Sequence, residues 1–364
     1  MRKDLSAAHL VILLLVSLTL PLGTNATDSS ISTDITWSGQ HTLTGNMTIT
    51  QGVTLTIEQG SSIDCGDGYW ILVEGNLVAE TTHFFSSTDP VTQGSHGAGL
   101  WKGIEIASSG SAILTDTLIE NAKTALKING QLTATGLEIM HSYVGVNNLA
   151  TSDIVDYISN QIDYDSIQNS GTLTISNAQI NQSAIGIHTT GFTTVLESNF
   201  SSVGIALNTP SGQLSAQNVK LETVTVGITS QSSSNIDISG ITGSNVSILV
   251  DAGNSDDLII KNVDVEGDRV LVSNQASSFE ISNLSFTRTT THNTPMIDQN
   301  CAGVCNLNDI HISDTLNGIV LSGSGTHELT DIGASVVNSA IEATGSGHLL
   351  ATNLSIITQN SGIK

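Results

Sequence analysis

Positively charged residues are scarce in this chain of 364 residues. There are 10 Lys and Arg against 33 Asp and Glu, so the formal net charge is -23. Binding to nucleic acid needs clustered cations that neutralise phosphates, and this shortage argues against a nucleic-acid partner. An acidic surface suits secretion into salty water and equally suits binding of divalent cations, so the charge alone does not decide between the two.

Aromatic residues and prolines are also few. Aromatics make up 4% of the chain, and its four prolines are too few for a polyproline linker or a mucin-like stalk. What remains is Ser, Thr, Asn and Gly at polar positions and Val, Ile and Leu at apolar ones. This composition favours strands and turns over helices, and it predicts an all-β protein.

The three cysteines are too few for a disulfide framework. Cys301 and Cys305 are close enough in sequence to close a small loop, which leaves Cys65 over. The pair is expected to form a local disulfide or to remain as two buried thiols. A metal site is disfavoured because no second pair of ligands lies nearby.

A long apolar run occurs at residues 10–20. It follows two basic residues and precedes small residues that continue to Ala26, which predicts a secretory signal at 1–26 and a mature chain at 27–364. The mature chain is then secreted or held at the extracellular cell surface. A retained anchor is the alternative, although the run is short for a bilayer span. No other segment approaches transmembrane length, so the mature chain should lack a membrane span.

From residue 173 onward one sequence pattern recurs. It consists of alternating apolar and polar residues, then Asn or a substitute, then further apolar positions and a Gly-apolar pair. Its marker positions are separated by 20 to 22 residues, with one gap of 26. Such constant spacing is an internal repeat. Because one coil cannot bury its own apolar side chains, coils of about 22 residues must stack with their strands in parallel. The pattern predicts a single solenoid domain, a parallel β-helix of about fourteen coils.

Asparagine has a physical reason to recur at the marker position. Its side-chain amide can bond the equivalent Asn one coil above and below, and Asn tolerates the left-handed backbone region of a sharp corner. We therefore predict a structural ladder at Asn177, Asn218, Asn262, Asn283 and Asn353.

The segment before this array sharpens the prediction. It reads LTGNMTITQGVTLTIEQG at 43–60, ILVEGNL at 71–77 and WKGIEI at 101–106. The first stretch resembles the opening coils of exported right-handed β-helix proteins of bacteria and archaea, a group related in fold to pectate lyases, and the other two resemble the next coils of that group. The resemblance covers nearly all of the mature chain and implies a right-handed, single-stranded parallel β-helix. It does not imply one activity, since that group contains lyases, hydrolases, epimerases, adhesins and scaffolds.

The catalytic residues of such enzymes are not evident in the chain. Pectate-lyase-like enzymes need grouped carboxylates for Ca²⁺ and a basic residue that takes a proton, but the few cations here are scattered. Polygalacturonase-like hydrolases carry an Asp pair, a Gly-His-Gly turn and an Arg-x-Lys segment. Asp256 and Asp257 are adjacent, but neither companion motif is present. Consecutive carboxylates do not face each other across a substrate, so this pair is assigned to a solvated turn, and we predict no catalytic residue.

The repeat does not scan between residues 151 and 171. This stretch predicts a loop that extends outward from a corner, where repeat proteins place binding surfaces. Its carboxylates could hold Ca²⁺ and its aromatics could stack on a sugar ring, whereas the alternative is a solvated, strand-like excursion. Apart from Ca²⁺, no cofactor is expected. The residues concerned are Asp153, Asp156, Asp163 and Asp165, with Tyr157 and Tyr164.

Three further features are noted from the sequence. Lone histidines are expected at the surface, because a metal site needs at least three converging ligands; they are His188, His311, His327 and His348. Glycosylation sequons, usable wherever they are exposed, occur at Asn46, Asn181, Asn199, Asn245, Asn283 and Asn353. The sequence stops at Lys364 in mid coil, which predicts a natural protein that continues, since an uncapped solenoid exposes strand edges.

These features together predict a secreted or cell-surface β-helix. The first hypothesis is a non-catalytic scaffold or adhesin-like rod that binds extracellular polysaccharide or cell-surface glycans. The alternative is a polysaccharide lyase, hydrolase or epimerase, which requires acidic and basic side chains from three or more coils to converge on one face. A third hypothesis is a surface-layer component stabilised by Ca²⁺.

Overall fold

The computed structural model describes residues 28–87, 99–231, 234–253, 257–289, 294–358 and 360–364. Regular secondary structure in these ranges is entirely β-strand, in 30 strands. None of the described residues forms a helix long and apolar enough to cross a membrane. The predicted secretory signal, residues 1–26, lies outside the described residues.

The first strands are short because each coil bends sharply between them. Strands β1 to β12 are Ser29–Ile31, Ile35–Trp37, Gln40–Thr42, Met47–Ile49, Thr54–Ile57, Ser62–Asp64, Trp70–Val73, Asn76–Glu80, His83–Phe85, Gly103–Ile106, Ser111–Thr115 and Leu118–Glu120. Strands β13 to β23 are Thr124–Ile128, Gln131–Thr135, Glu138–Met140, Val144–Asn148, Thr151–Val155, Ile158–Asn169, Thr172–Ser176, Gln179–Thr189, Phe192–Leu196, Asn199–Ser201 and Ile205–Thr209.

Beyond residue 209 the strand hydrogen bonding continues through the corners, so that one strand can run through a whole coil and into the next. Strands β24 to β30 are Gly212–Ser230, Ser234–Ala252, Asp257–Arg288, Pro295–Gly323, Thr326–Gly345, His348–Thr358 and Ser361–Ile363.

The strands pair in parallel and join equivalent residues of successive coils. In β17, for example, Asp153 pairs with Thr133 of the coil before and with Thr174 of the coil after. Equivalent residues that hydrogen-bond to each other are 20, 21 or 22 positions apart in sequence. These pairings stack the strands in about 14 coils of about 22 residues. The predicted all-β parallel solenoid is therefore confirmed.

Alternation of apolar and polar residues builds the core. In β5 and β7 every second residue is buried, so Leu55, Ile57, Ile71 and Val73 point into the interior. Because each coil adds a similar layer, the buried side chains form one continuous apolar column along the solenoid. The outward residues of the same strands form long, regular surfaces.

One corner of each coil holds a residue in left-handed backbone conformation. At the five predicted ladder positions φ lies between +51° and +57°. The Nδ2 atoms of Asn177, Asn283 and Asn353 each donate to a side-chain oxygen of the same corner one coil earlier, at 2.8–3.2 Å; the acceptors are Asp156, Asn262 and Asp331. These side chains are exposed, so the bonds support the corners from outside instead of satisfying groups hidden from water.

The prediction of an outward loop at residues 151–171 is wrong. This segment is a coil formed by β17 and β18, whose strands pair in parallel with the coils on both sides. The apolar pattern failed to scan because three inward positions hold buried polar side chains, Asn148, Ser152 and Asn169. The register between β18 and β20 also shifts between Ile162 and Asp165, which disturbs the spacing.

The buried asparagines form an interior stack that the sequence analysis did not predict. Nδ2 of Asn148 donates to Oδ1 of Asn169 at 2.8 Å and to two backbone carbonyl oxygens. Nδ2 of Asn169 donates to the carbonyl oxygen of Phe192 at 2.9 Å and to Oγ1 of Thr193 at 2.8 Å. Two coils further on, the buried hydroxyl of Thr209 has no hydrogen-bond partner. The interior therefore contains a hydrogen-bonded polar stack at Asn148 and Asn169 beside the apolar column.

Cys301 and Cys305 are joined by a disulfide bond within β27. Cys65 is a buried thiol, and burial, followed by the neighbouring Asp64 carboxylate, raises its pKa well above the usual value. Because the thiolate is the reactive form of cysteine, this side chain serves as a small apolar core residue.

Candidate functional site

Four successive coils present one concave surface. It consists of the outward side chains of β21 and of the first parts of β24, β25 and β26, which parallel pairing aligns in two columns. The first column contains Phe192, Gln213, Asn235 and Asp257, and the second contains Thr194, Ser215, Asp237 and Ile259. They surround a cavity of about 370 Å³, which we call the Phe192 depression.

Phe192 is the most unusual residue of this surface. Its side chain is 57% exposed at an outward position of β21. Large apolar groups in water are disfavoured by the hydrophobic effect, and exposed apolar surface rimmed by polar groups is typical of binding grooves. An aromatic ring offers a flat apolar face against which another flat or apolar face can stack.

The other side chains around the depression supply hydrogen-bonding groups. The amides of Gln213 and Asn235 each combine donors with an acceptor, and ionised carboxylates at Asp237 and Asp257 are acceptors. The hydroxyl of Ser278 donates to Oδ1 of Asp257 at 2.9 Å. The surface therefore combines one stacking face with closely spaced donors and acceptors, which suits a ligand rich in hydroxyl groups.

The four carboxylates predicted to hold Ca²⁺ lie apart. Asp153 is exposed on β17, in the same outward column as Thr194 but two coils earlier. Asp156 lies at the coil corner and accepts from Asn177, Asp163 is half-buried and Asp165 is fully buried. Within the described ranges, no three His, Cys, Asp or Glu side chains converge as a metal site. The structure thus does not assemble the predicted ligand set.

Asp165 instead holds neighbouring side chains in place on the outer side of its coil. The adjacent Ser166 faces inward, where it contacts Tyr157 and Ser159, so Asp165 lies on the outer side. Its Oδ2 accepts from Nε2 of Gln168 at 2.8 Å and lies 3.4 Å from Nδ1 of His188, close enough for an ion pair when the imidazole is protonated. Its Oδ1 is buried without a hydrogen-bond partner. Because that oxygen is covered, Asp165 positions its neighbours and does not itself offer a binding site.

The tyrosines of the same segment separate into one exposed and one buried residue. Tyr164 stacks on Tyr143 with ring centroids 5.8 Å apart and an interplanar angle of 6°, and both rings are substantially exposed. Tyr157 is buried, its hydroxyl contacts Ser166, and burial raises its pKa to about 12. The expectation of an accessible aromatic therefore fits Tyr164 and is wrong for Tyr157.

The histidines expected at the surface also differ in burial. His311 and His348 are exposed and His188 is partly exposed. His327 is buried, so the prediction that it lies at the surface is wrong. Its Nδ1 lies 3.0 Å from Nε2 of Gln299, and burial lowers its pKa. A buried histidine is tolerated there because Gln299 supplies a polar partner.

Sequence reasoning missed a cluster around Glu120. Its Oε2 lies 2.7 Å from Nε2 of His83, and its Oε1 lies 3.7 Å from Nδ1 of His141. The hydrogen bond from His83 is the largest cause that lowers the pKa of Glu120. These residues come from three successive coils, so only a coil-by-coil alignment brings them together.

The predicted glycosylation positions fall into two groups. Asn245, Asn283 and Asn353 are exposed at coil corners, and all three have positive φ. Asn46, Asn181 and Asn199 are half-buried, and the Oδ1 atoms of Asn46 and Asn199 are covered. Accessibility therefore favours the first group as acceptors of a glycan.

The Phe192 depression was also missed, although the sequence contains its signal. Asp257 was assigned to a solvated turn with Asp256, which lies outside the described residues. Asp257 instead shares a repeat position with Phe192, Gln213 and Asn235. Alignment of the coils by register, in place of a search for adjacent motifs, would have grouped these residues.

Comparison with known proteins supports the fold. The chain is similar to the catalytic unit of a thermostable GH87 alpha-1,3-glucanase from Streptomyces thermodiastaticus, with a TM-score of 0.53 and 13% sequence identity over 90% of this chain and 63% of the glucanase chain. It is also similar to a Family 28 exopolygalacturonase of Yersinia enterocolitica, with a TM-score of 0.46 and 10% identity over 87% and 73% of the two chains.

Endopolygalacturonase I from Stereum purpureum gives a TM-score of 0.34 and 13% identity over 88% of this chain and 95% of that chain. No protein-family model and no curated protein matches the sequence. At 13% identity the similarity to the glucanase shows a shared fold, and the activity has to be argued from this chain's own residues.

Proposed function

We propose that this protein is a secreted or cell-surface β-helix that binds extracellular polysaccharide at the Phe192 depression. The observation that carries the proposal is the exposed Phe192 ring at the edge of a cavity lined by amide, hydroxyl and carboxylate side chains. A sugar ring has apolar C–H faces that stack on aromatics and hydroxyl groups that need donors and acceptors. The regular coils would let successive sugars contact successive coils at about 4.8 Å intervals.

Binding of the purified protein to an array of neutral, acidic and amino polysaccharides tests this proposal. The Phe192→Ala variant is expected to bind a recognised glycan about tenfold more weakly, because the stacking face is lost. Ile113→Ala is the matched control. Ile113 is 51% exposed in the same outward column, four coils away from the depression, and its removal should leave binding unchanged. Equal binding by both variants and the wild-type protein would contradict the proposal.

A second candidate function is glycoside hydrolysis, favoured by the placement of Asp237 and Asp257. The two residues lie on adjacent coils, offset by two positions, since Asn235 pairs with Asp257. Strand spacing and rise then place their Cα atoms roughly 8 Å apart. Because both side chains project outward from the same face, their carboxyl groups are expected at a similar distance, which is comparable to the separation of the two carboxyl groups in inverting glycosidases. The two functions are distinguished by incubating the protein with every polysaccharide that binds and analysing the reducing ends formed. Products that disappear in Asp237→Asn establish hydrolysis. Binding without products establishes a recognition surface.

A further inference from the structure

The charged side chains that line the Phe192 depression are all acidic. Among the residues that line it, the ionisable ones are Asp237 and Asp257. Basic groups of the surrounding coils are engaged elsewhere, since Lys220 pairs with Glu222 and Lys261 pairs with Glu280. In the described part of the chain, neither carboxylate of the depression has a basic group within ion-pair distance.

The spacing of the two carboxylates suits a single cation between them. Both side chains project outward from the same face, so their carboxyl groups are expected to lie roughly 8 Å apart, as their Cα atoms do. A group midway between the two carboxyl groups then lies about 4 Å from each. An ammonium group there would be attracted by both negative charges and would donate hydrogen bonds to both carboxylates. A uronate carboxylate in the same place would be repelled by both, in a protein that already carries a net charge of -23.

We infer that the ligand of the Phe192 depression is a polysaccharide that carries free amino groups, such as one built from glucosamine, and not a polyuronate. This inference rests on the proposed glycan-binding function and specifies its chemistry. Phe192 stacks on one sugar ring, the amides of Gln213 and Asn235 contact hydroxyl groups, and Asp237 with Asp257 holds the ammonium group.

Calorimetric titration of the full protein with three oligosaccharides tests the inference: a glucosamine oligomer, its fully N-acetylated counterpart and an oligogalacturonate, all near pH 6 and at low salt. The glucosamine oligomer should bind at least about tenfold more tightly than the N-acetylated one, and the oligogalacturonate should not bind detectably. Asp237→Asn and Asp257→Asn should each remove most of this preference without weakening the binding of the N-acetylated oligomer.

Asp153→Asn is the matched control, because Asp153 is exposed in the same outward column two coils before the depression. Its replacement should leave the preference intact. Loss of preference in this control as well would show general attraction to an acidic protein and overturn the inference. Equal binding of both glucosamine oligomers, still dependent on Phe192, would overturn the inference while preserving the proposed function. Tight binding of oligogalacturonate would also overturn the inference, and no binding of any glycan at Phe192 would overturn both proposals.

Discussion

Glu120 illustrates how a single residue in this solenoid acquires its chemistry from other coils. Its carboxylate contacts His83 of the coil before and His141 of the coil after, and these contacts lower its pKa. A carboxyl group whose pKa is lower in the folded chain than in the unfolded chain stabilises the fold when ionised. This contribution is fully present above the ordinary glutamate value of about 4.5 and is lost as the pH falls through the lower, folded value.

Replacement of Glu120 by Gln should therefore weaken the acid dependence of stability. We expect the free energy of unfolding of the wild-type protein to fall more steeply than that of Glu120→Gln between about pH 5 and about pH 3, with a difference of about 0.5–1 kcal/mol. Urea unfolding at several pH values measures it. Glu138→Gln is the control: Glu138 lies on the next strand, opposite Leu118, and takes part in none of the ion pairs among the described residues, so this variant should follow the wild-type curve. Parallel curves for all three proteins would refute this role.

The coil corners show which residue-level features can be predicted from sequence. Asn and Gly mark a left-handed backbone because they adopt it at low cost, and this signal correctly located the corners of Asn177, Asn218 and Asn262. Glu197 and Thr81 have the same conformation, with φ of +50° and +45°, but their side chains give no signal of it. Stacking against the corners of neighbouring coils imposes the conformation there, and that information is absent from the residue itself.

At the scale of the coil, the repeat was predictable because three properties agree: period, strand-forming composition and turn residues. The coil at 151–171 was not predicted, because polar side chains occupy inward positions and an inward Asn looks like a turn residue in a single sequence. Asn148 and Asn169 are acceptable in the core because nearly all of their hydrogen-bonding groups find partners within the stack.

The interior stack makes Asn169→Leu a sensitive test. The change removes one of the three acceptors of Asn148 Nδ2 and the amide that donates to the carbonyl oxygen of Phe192 and to Oγ1 of Thr193, so it weakens the hydrogen bonding of several buried polar groups at once. We expect a loss of about 2–4 kcal/mol in the free energy of unfolding, measured by denaturant titration. Thr209→Val is the matched control, because the hydroxyl it removes is buried and already unpartnered. It should be neutral or slightly stabilising, and a comparable loss in both variants would argue against a special role for the stack.

The whole molecule combines a long acidic surface with few cations. Self-repulsion among 33 acidic residues destabilises the folded chain, and added salt screens this repulsion. The melting temperature should therefore rise by about 3–6 °C between about 10 mM and about 500 mM NaCl. Because the four carboxylates of residues 153–165 do not converge, Ca²⁺ at matched ionic strength should add nothing further. A Ca²⁺-specific rise that chelator reverses would instead support a calcium-stabilised surface component.

The architecture of the whole chain was predictable, but its binding surface was not. Fold follows from a pattern that every coil repeats, whereas the Phe192 depression depends on four residues that differ from coil to coil at one position. No local motif encodes such a surface. It becomes visible when the register between coils is known, since the register decides which side chains become neighbours.

The left-handed corner also makes each coil an interchangeable module. Glu197 and Asn218 occupy the same corner with nearly the same φ, +50° and +55°. A chain cut at one and rejoined at the other would lose one whole coil, with Gln213 and Ser215, while the solenoid continued without a break in register. Phe192 would then adjoin Asn235, and the depression would become one coil shorter. The length of ligand that such a surface can hold is thus set by counting coils, so that changes of reach can arise in whole steps by duplication or loss of a single coil.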